Sequence, residues 1–254
     1  MRRGGESDII HWHKIMNEIS TFAILGFGFL LGLKHATEAD HLAAVSTIVT
    51  ERRSLFGSAI IGGLWGLGHT ISLFLAGVFV LILNFQITER TEKFLEFGVG
   101  VMLVLLGLNV LRKLLQGGHL HFHTHEHGKR VHVHPHIHDE RAADEPHTHH
   151  NFSFSPRALI VGMIHGLAGS AALMLLIIPT IESRALGLLY IIIFGAGSIG
   201  GMMLMSLLVG LPFTLTSVRY NRFNYLLQSV AGLTSVALGL FIIYEKGITE
   251  GLFS

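Results

Sequence analysis

Five stretches of this chain are apolar over the ~20 residues that a helix needs to cross a bilayer. They run from Ser58 to Leu83, Phe94 to Leu115, Ala158 to Thr180, Ala185 to Phe213 and Tyr225 to Tyr244. A sixth, Phe22 to Val49, is long enough but carries Lys34, His35, Glu38, Asp40 and His41 near its middle. It counts as a span because its flanks, FAILGFGFLLGL and LAAVSTIV, would otherwise have nothing to bury them. Six transmembrane helices in an all-α, polytopic membrane protein are therefore expected. Composition agrees, with 14% charged residues against about 25% in an ordinary soluble domain. The net charge of +1 leaves no surplus of basic charge for a phosphate backbone, so nucleic acid is not an expected partner. The absence of cysteine excludes disulfides, iron–sulfur clusters and thiolate metal sites.

Between the spans, residues 1–19 form an N-terminal tail that mixes acids, histidines and a lysine where a cleavable leader would be apolar. Residues 116–157 form a loop without apolar periodicity that reads GGHLHFHTHEHGKRVHVHPHIHDE over much of its length. Of the 18 histidines, 12 lie between His119 and His150. Such a loop is expected to be largely disordered and to bind divalent transition metal by composition. The alternative is a solvated spacer. The HTHH at His147 to His150 is a single copy of a pattern that membrane di-iron oxidases repeat on ordered helices, which is weak support for an enzyme.

The remaining domains, residues 20–115 and 158–254, read as two copies of a three-helix unit. GLKHATEADHLAAV from Gly32 aligns with GMIHGLAGSAALML from Gly162, so His35 falls on His165. GLGHTIS from Gly66 aligns with GAGSIGG from Gly195, so His69 falls on Ser198. Gly100 and Gly107 align with Gly232 and Gly239. A unit with an odd number of spans enters the membrane upside down on its second pass, which predicts a 3+3 inverted repeat with its site at the repeat interface. Basic residues near the span ends, Arg52, Arg53, Arg112, Lys113, Arg157, Arg219 and Arg222, outweigh Lys14, Arg90, Lys93, Arg184 and Lys246 on the other side. Both termini are thus expected outside and the histidine loop in the cytoplasm.

The chemistry concentrates in Lys34 to His41. One charged residue at the centre of a membrane helix costs about 2.5–3.5 kcal/mol, so these groups must face protein, water or an ion. On an unbroken helix Glu38 would share a face with His35 and His41 while Asp40 pointed elsewhere. Either the helix is distorted there or Asp40 orients a ligand imidazole from behind. The alternative is an ion-pair network of Lys34 with Glu38 or Asp40 that only pins helices. His69 and His165 are lone histidines in apolar spans; within a membrane such residues default to function. Imidazole with carboxylate suits nickel, cobalt or zinc.

His35 followed after four residues by Asp40-His41 resembles the HX4DH signature of the nickel/cobalt permease superfamily, and GLGHT around His69 resembles its second histidine motif. MIHGLAGSAAL and the six-span layout look most like the branch of urease-accessory and hydrogenase-linked nickel permeases. Glu38 stands where that superfamily usually has aspartate, and His165 replaces an aspartate-containing motif. The resemblance implies a secondary transporter of nickel, with cobalt as a second cargo, in the inner or cytoplasmic membrane. It implies no enzymatic activity and no tightly bound cofactor. The partners implied are the divalent ion, membrane lipid and cytoplasmic nickel-enzyme maturation proteins. The expected metal site is His35, Glu38, Asp40, His41, His69 and His165. A proton-coupled exporter and a non-transporting, metal-donating accessory protein are the alternatives; the histidine loop resembles that of the superfamily's exporters.

Overall fold

The computed structural model describes residues 21–50, 54–83, 88–116, 156–168, 183–216 and 221–253, with the backbone of His121–His127 and Arg130–His136. The N-terminal tail, the second half of the stretch from Ala158 to Thr180 and the rest of the histidine loop lie outside the described residues. The helices are α1 (Thr21–His35), α2 (Ala39–Val49), α3 (Leu55–Leu83), α4 (Glu89–Leu115), α5 (Pro156–Ala168), α6 (Arg184–Thr216) and α7 (Asn221–Tyr244). The last runs on into a π turn, Glu245–Thr249.

Among the described residues, four helices are long and apolar enough to cross a membrane: α3, α4, α6 and α7 with its π turn. Three shorter apolar helices, α1, α2 and α5, accompany them. Their outward faces carry Phe22, Phe79, Leu105, Leu204 and Leu240, all more than half exposed. A surface so apolar over the long helices belongs in lipid. This is a membrane protein.

The first apolar stretch is not one helix. Thr37 Oγ1 donates to the Lys34 carbonyl at 2.6 Å, and the backbone tightens into Thr37 N to Lys34 O and Glu38 N to His35 O bonds. A hydroxyl that takes a local carbonyl competes with continuation of the helix. Glu38 is then extended, at φ −66° and ψ 150°, and α2 starts anew at Ala39. At 1.5 Å per residue neither half reaches the ~30 Å of a hydrocarbon core, so the two halves must act together.

Packing follows the glycines, as expected where side-chain burial gives helices little reason to associate. Gly32 of α1 lies against the Phe194 carbonyl of α6, and Gly162 of α5 against the Trp65 carbonyl of α3. Gly197 lies against the Phe29 carbonyl, and Gly68 against the Leu159 carbonyl. These are pairs of equivalent contacts, since 32 matches 162, 65 matches 194, 68 matches 197 and 29 matches 159 at offsets of 129 or 130 residues. Between α4 and α7 the pattern is reciprocal, a Cβ on Gly107 meeting the Gly232 carbonyl at 2.5 Å and one on Gly100 meeting that of Gly239 at 2.9 Å. α1 thus runs parallel to α6 and α5 parallel to α3, while α3 with α6 and α4 with α7 are antiparallel.

Within the histidine loop, expected to be largely disordered, one two-stranded hairpin is described. The backbone of His121–His127 (β1) pairs antiparallel with Arg130–His136 (β2), setting His121, His123 and His125 opposite His136, His134 and His132. Residues alternate with histidine at period two, among them Phe122, Thr124, Val131 and Val133, which favour strands. Every other regular element described is helical.

Candidate metal centre

The break between α1 and α2 brings the end of one helix and the first turn of the next to the same place. His35 closes α1, Asp40 and His41 open α2, His69 comes from α3 and His165 from α5. All four histidines are at most 1% exposed. Their rings form a chain, with centroids 4.3 Å apart for His35 and His41, 4.2 Å for His41 and His165, and 5.1 Å for His35 and His69. Five of the six residues expected at the site from sequence therefore converge.

Asp40 holds this cluster from one side. Its Oδ1 lies 3.1 Å from His41 Nδ1 and its Oδ2 lies 2.8 Å from His165 Nε2. A carboxylate only accepts, so both ring nitrogens must donate. That choice fixes both tautomers and leaves His41 Nε2 and His165 Nδ1 as lone pairs, each buried and without a partner. His35 Nε2 lies 3.2 Å from His69 Nε2, and His69 Nδ1 is likewise buried and unpartnered. Unsatisfied buried groups of this kind cost roughly 1–3 kcal/mol each, which an ion could repay. Two triads have ligand atoms within 4.8 Å of one another, His35 with His41 and His69, and Asp40 with His41 and His165. His41 belongs to both.

Because the helix ends at His35 and restarts at Ala39, Asp40 swings into the cluster, and both readings of it, distortion and orientation of imidazole, describe the same geometry. Glu38 sits at the rim, its side chain 44% exposed and its Oε2 3.0 Å from His35 Nδ1. It belongs to neither triad. Lys34 is exposed, so the pinning network of Lys34 with the acids gives way to pairing of both acids with histidines.

Sequence reasoning missed two aromatic neighbours. Trp65 stands 5.3 Å from His41 and 5.6 Å from His165 by ring centroid, and Phe194 stands 5.5 Å from His35. Both are buried among the helices. The available signal was their position three residues before Gly68 and Gly197 in the aligned repeats. Also missed was Ser72, which donates to the Met163 carbonyl at 2.7 Å and ties α3 to α5 two residues before His165.

With this arrangement in hand, similarity to known proteins is informative. The chain is 39% identical over 240 residues to the urease accessory protein UreH of Bacillus sp. strain TB-90, covering 94% of this chain and 98% of that protein. The chain belongs to the UreH family. Outside it, a high-affinity nickel transport protein of Cupriavidus necator is 38% identical over 77 residues, 30% of this chain and 21% of the transporter. The chloroplast protein FOR GROWTH AND FERTILITY 2 of Arabidopsis thaliana is 26% identical, over 86% of this chain and 55% of its own length. No family model and no solved structure matches the chain. The relatives of this UreH-family chain thus include one named for urease accessory function and one named for nickel transport.

Proposed function

We propose that the chain is a secondary transporter that moves divalent nickel, with cobalt as a second cargo, across the cytoplasmic membrane. The observation that carries this reading is the buried cluster of His35, His41, His69, His165 and Asp40 at a helix break, with ring lone pairs left open. Imidazole with one carboxylate is a donor set for late first-row divalent ions. The names of the relatives, urease accessory protein and nickel transport protein, favour nickel among these.

The 3+3 inverted repeat supplies a path. Its support is the equivalence of contacts, Gly32 on Phe194 with Gly162 on Trp65 and Gly68 on Leu159 with Gly197 on Phe29. Under that symmetry His35 and His165 approach one site from the two halves, His69 comes from α3, and Ser198 holds the matching place on α6. Broken helices at such an interface are how transporters place polar backbone at membrane depth. HX4DH and GLGHT, read as permease motifs, coincide with the residues that converge. Nickel would pass between the His35/His41/His69 and Asp40/His41/His165 triads with His41 common to both. Lys34 and Glu38 lie at the rim.

Uptake needs no further energy source. Two charges moving through 100 mV gain roughly 4.6 kcal/mol, enough for accumulation of about a few thousandfold. Export would have to work against that term. The test is radiolabelled nickel flux into proteoliposomes of known orientation, with the potential set by a potassium gradient. Accumulation that follows the negative-inside potential and vanishes in His41→Ala supports the reading; a wild-type chain that carries no nickel in either direction overturns it.

A second reading, delivery of nickel without transport, is favoured by the accessory name of the relative that matches nearly end to end. It places the function in the histidine loop. Deleting residues 117–150 would then abolish nickel delivery to the enzyme, whereas a transporter would retain flux.

A further inference from the structure

We infer that Trp65 and Phe194 are paired gates, each closing one of two opposite access routes to the histidine cluster. The inference rests on the transporter reading and assigns the moving parts within it. The two residues are equivalent in the aligned halves, 129 residues apart, and so are the histidines they cover, His165 and His35. Their geometry repeats that equivalence, with Trp65 to His165 at 5.6 Å and Phe194 to His35 at 5.5 Å between ring centroids.

Depth separates them. The antiparallel contacts of α3 and α6, Gly66 on Ile199 and Gly195 on Thr70, centre that crossing near Gly68 and Gly197. Trp65 precedes Gly68 by three residues and Phe194 precedes Gly197 by three. On antiparallel helices these steps go in opposite directions, so the two backbone levels differ by about 9 Å at 1.5 Å per residue. Helical side chains lean toward their own N-terminus, which here carries both rings away from the centre. The histidine cluster therefore has indole toward one membrane face and phenyl toward the other. Trp65 is 1% exposed and Phe194 5% exposed, so both rings are packed against the cluster among the described residues.

The mobile part is the ring rather than the helix. Gly162 seats directly on the Trp65 carbonyl and Gly32 on the Phe194 carbonyl, which pins both backbones. The indole Nε1 is buried without a partner, so no hydrogen bond holds that ring in place. Rotation of one ring with the other at rest would expose the cluster to one side only, as alternating access demands.

The absence of cysteine from the chain makes a clean test available. A single thiol is introduced as His69→Cys, and its reaction with a membrane-impermeant methanethiosulfonate ammonium reagent is followed from each face of oriented vesicles. Against this background Trp65→Ala should raise the labelling rate about tenfold from one face only, and Phe194→Ala by a similar factor from the opposite face only. Trp65→Phe and Phe194→Leu, which keep an apolar filling, should show smaller rises with the same sidedness. Val110→Ala, a truncation of a buried α4 residue away from both rings, should leave the rate unchanged. Increases from the same face, from both faces in one variant, in neither variant, or equally in Val110→Ala would overturn the assignment. The readout needs no nickel. A wild-type chain without nickel flux but with opposite-sided labelling would fault the transporter reading alone; flux with same-sided labelling would fault the gates alone.

Discussion

Asp40 does two jobs with two oxygens, and no other acid in the described site is so placed. By accepting from His41 Nδ1 and His165 Nε2 it sets which nitrogen of each ring is left open. Asp40→Asn offers one acceptor oxygen and an amide that donates, so one of the two rings must lose its partner or turn over. We expect nickel transport to fall by about 10–100-fold, the usual cost of removing a carboxylate behind a ligand histidine. His35→Ala and His41→Ala remove ligands outright and should abolish flux with membrane insertion intact. Glu38→Gln should cost less than about tenfold, because that carboxylate is 44% exposed and faces His35 alone. Flux normalised to the protein in the membrane decides each case. A Glu38→Gln loss as deep as that of Asp40→Asn would move Glu38 from the rim into the site.

At the scale of elements, small residues decide what packs on what. On α1 alone the contrast is sharp. Nothing lies within 4 Å of a Cβ built on Gly26, while one on Gly32 runs into the backbone of Phe194 and Ser198. Gly26→Ala should leave thermal stability in detergent unchanged or slightly raised. Gly32→Ala should cost roughly 1–3 kcal/mol, seen as a lower unfolding temperature. Equal behaviour of the two would mean that α1 does not rest on α6 as described. Much of this architecture is legible in the sequence, because apolar length marks α3, α4, α6 and α7 and because charge inside an apolar stretch is too costly to be idle. The spacing of Gly100, Gly107, Gly232 and Gly239 even anticipates the reciprocal α4–α7 contact. The direction of Asp40 offers a break at residues 36–38 as one of two alternatives, but its exact place is not legible, since a threonine hydroxyl bonding back to a carbonyl occurs as readily within unbroken helices. Thr47 does so inside α2 without ending it. Trp65 was equally silent: in an apolar helix an indole facing histidines and one facing lipid have the same neighbours in sequence. The packing of the C-terminus on α4 also lies beyond periodicity. There Lys246 bridges Glu96 and Glu250 at 2.7 and 2.6 Å, and Lys93 donates to the Glu250 carbonyl at 3.1 Å.

For the whole molecule, orientation determines whether the membrane potential helps or opposes the cargo. By the positive-inside rule, the excess of Arg and Lys near residues 52, 112, 157 and 222 predicts that those ends face the cytoplasm. In a chain without native cysteine, a thiol at Glu51 or Gly118 should then label from the cytoplasmic face and one at Ser183 from outside. With that orientation a negative interior pulls a divalent cation inward, and nickel accumulated at steady state in right-side-out vesicles should rise about fiftyfold for each additional 50 mV, as two charges each gain about 1.15 kcal/mol. The histidine loop is not part of that driving force. Removing residues 117–150 should leave the dependence on potential intact and change uptake only at low external nickel, where capture or buffering at the inner mouth matters. Uptake lost at every nickel concentration after the deletion would put the loop on the conduction path; uptake indifferent to potential but responsive to a pH gradient would make the chain a proton-coupled carrier running outward.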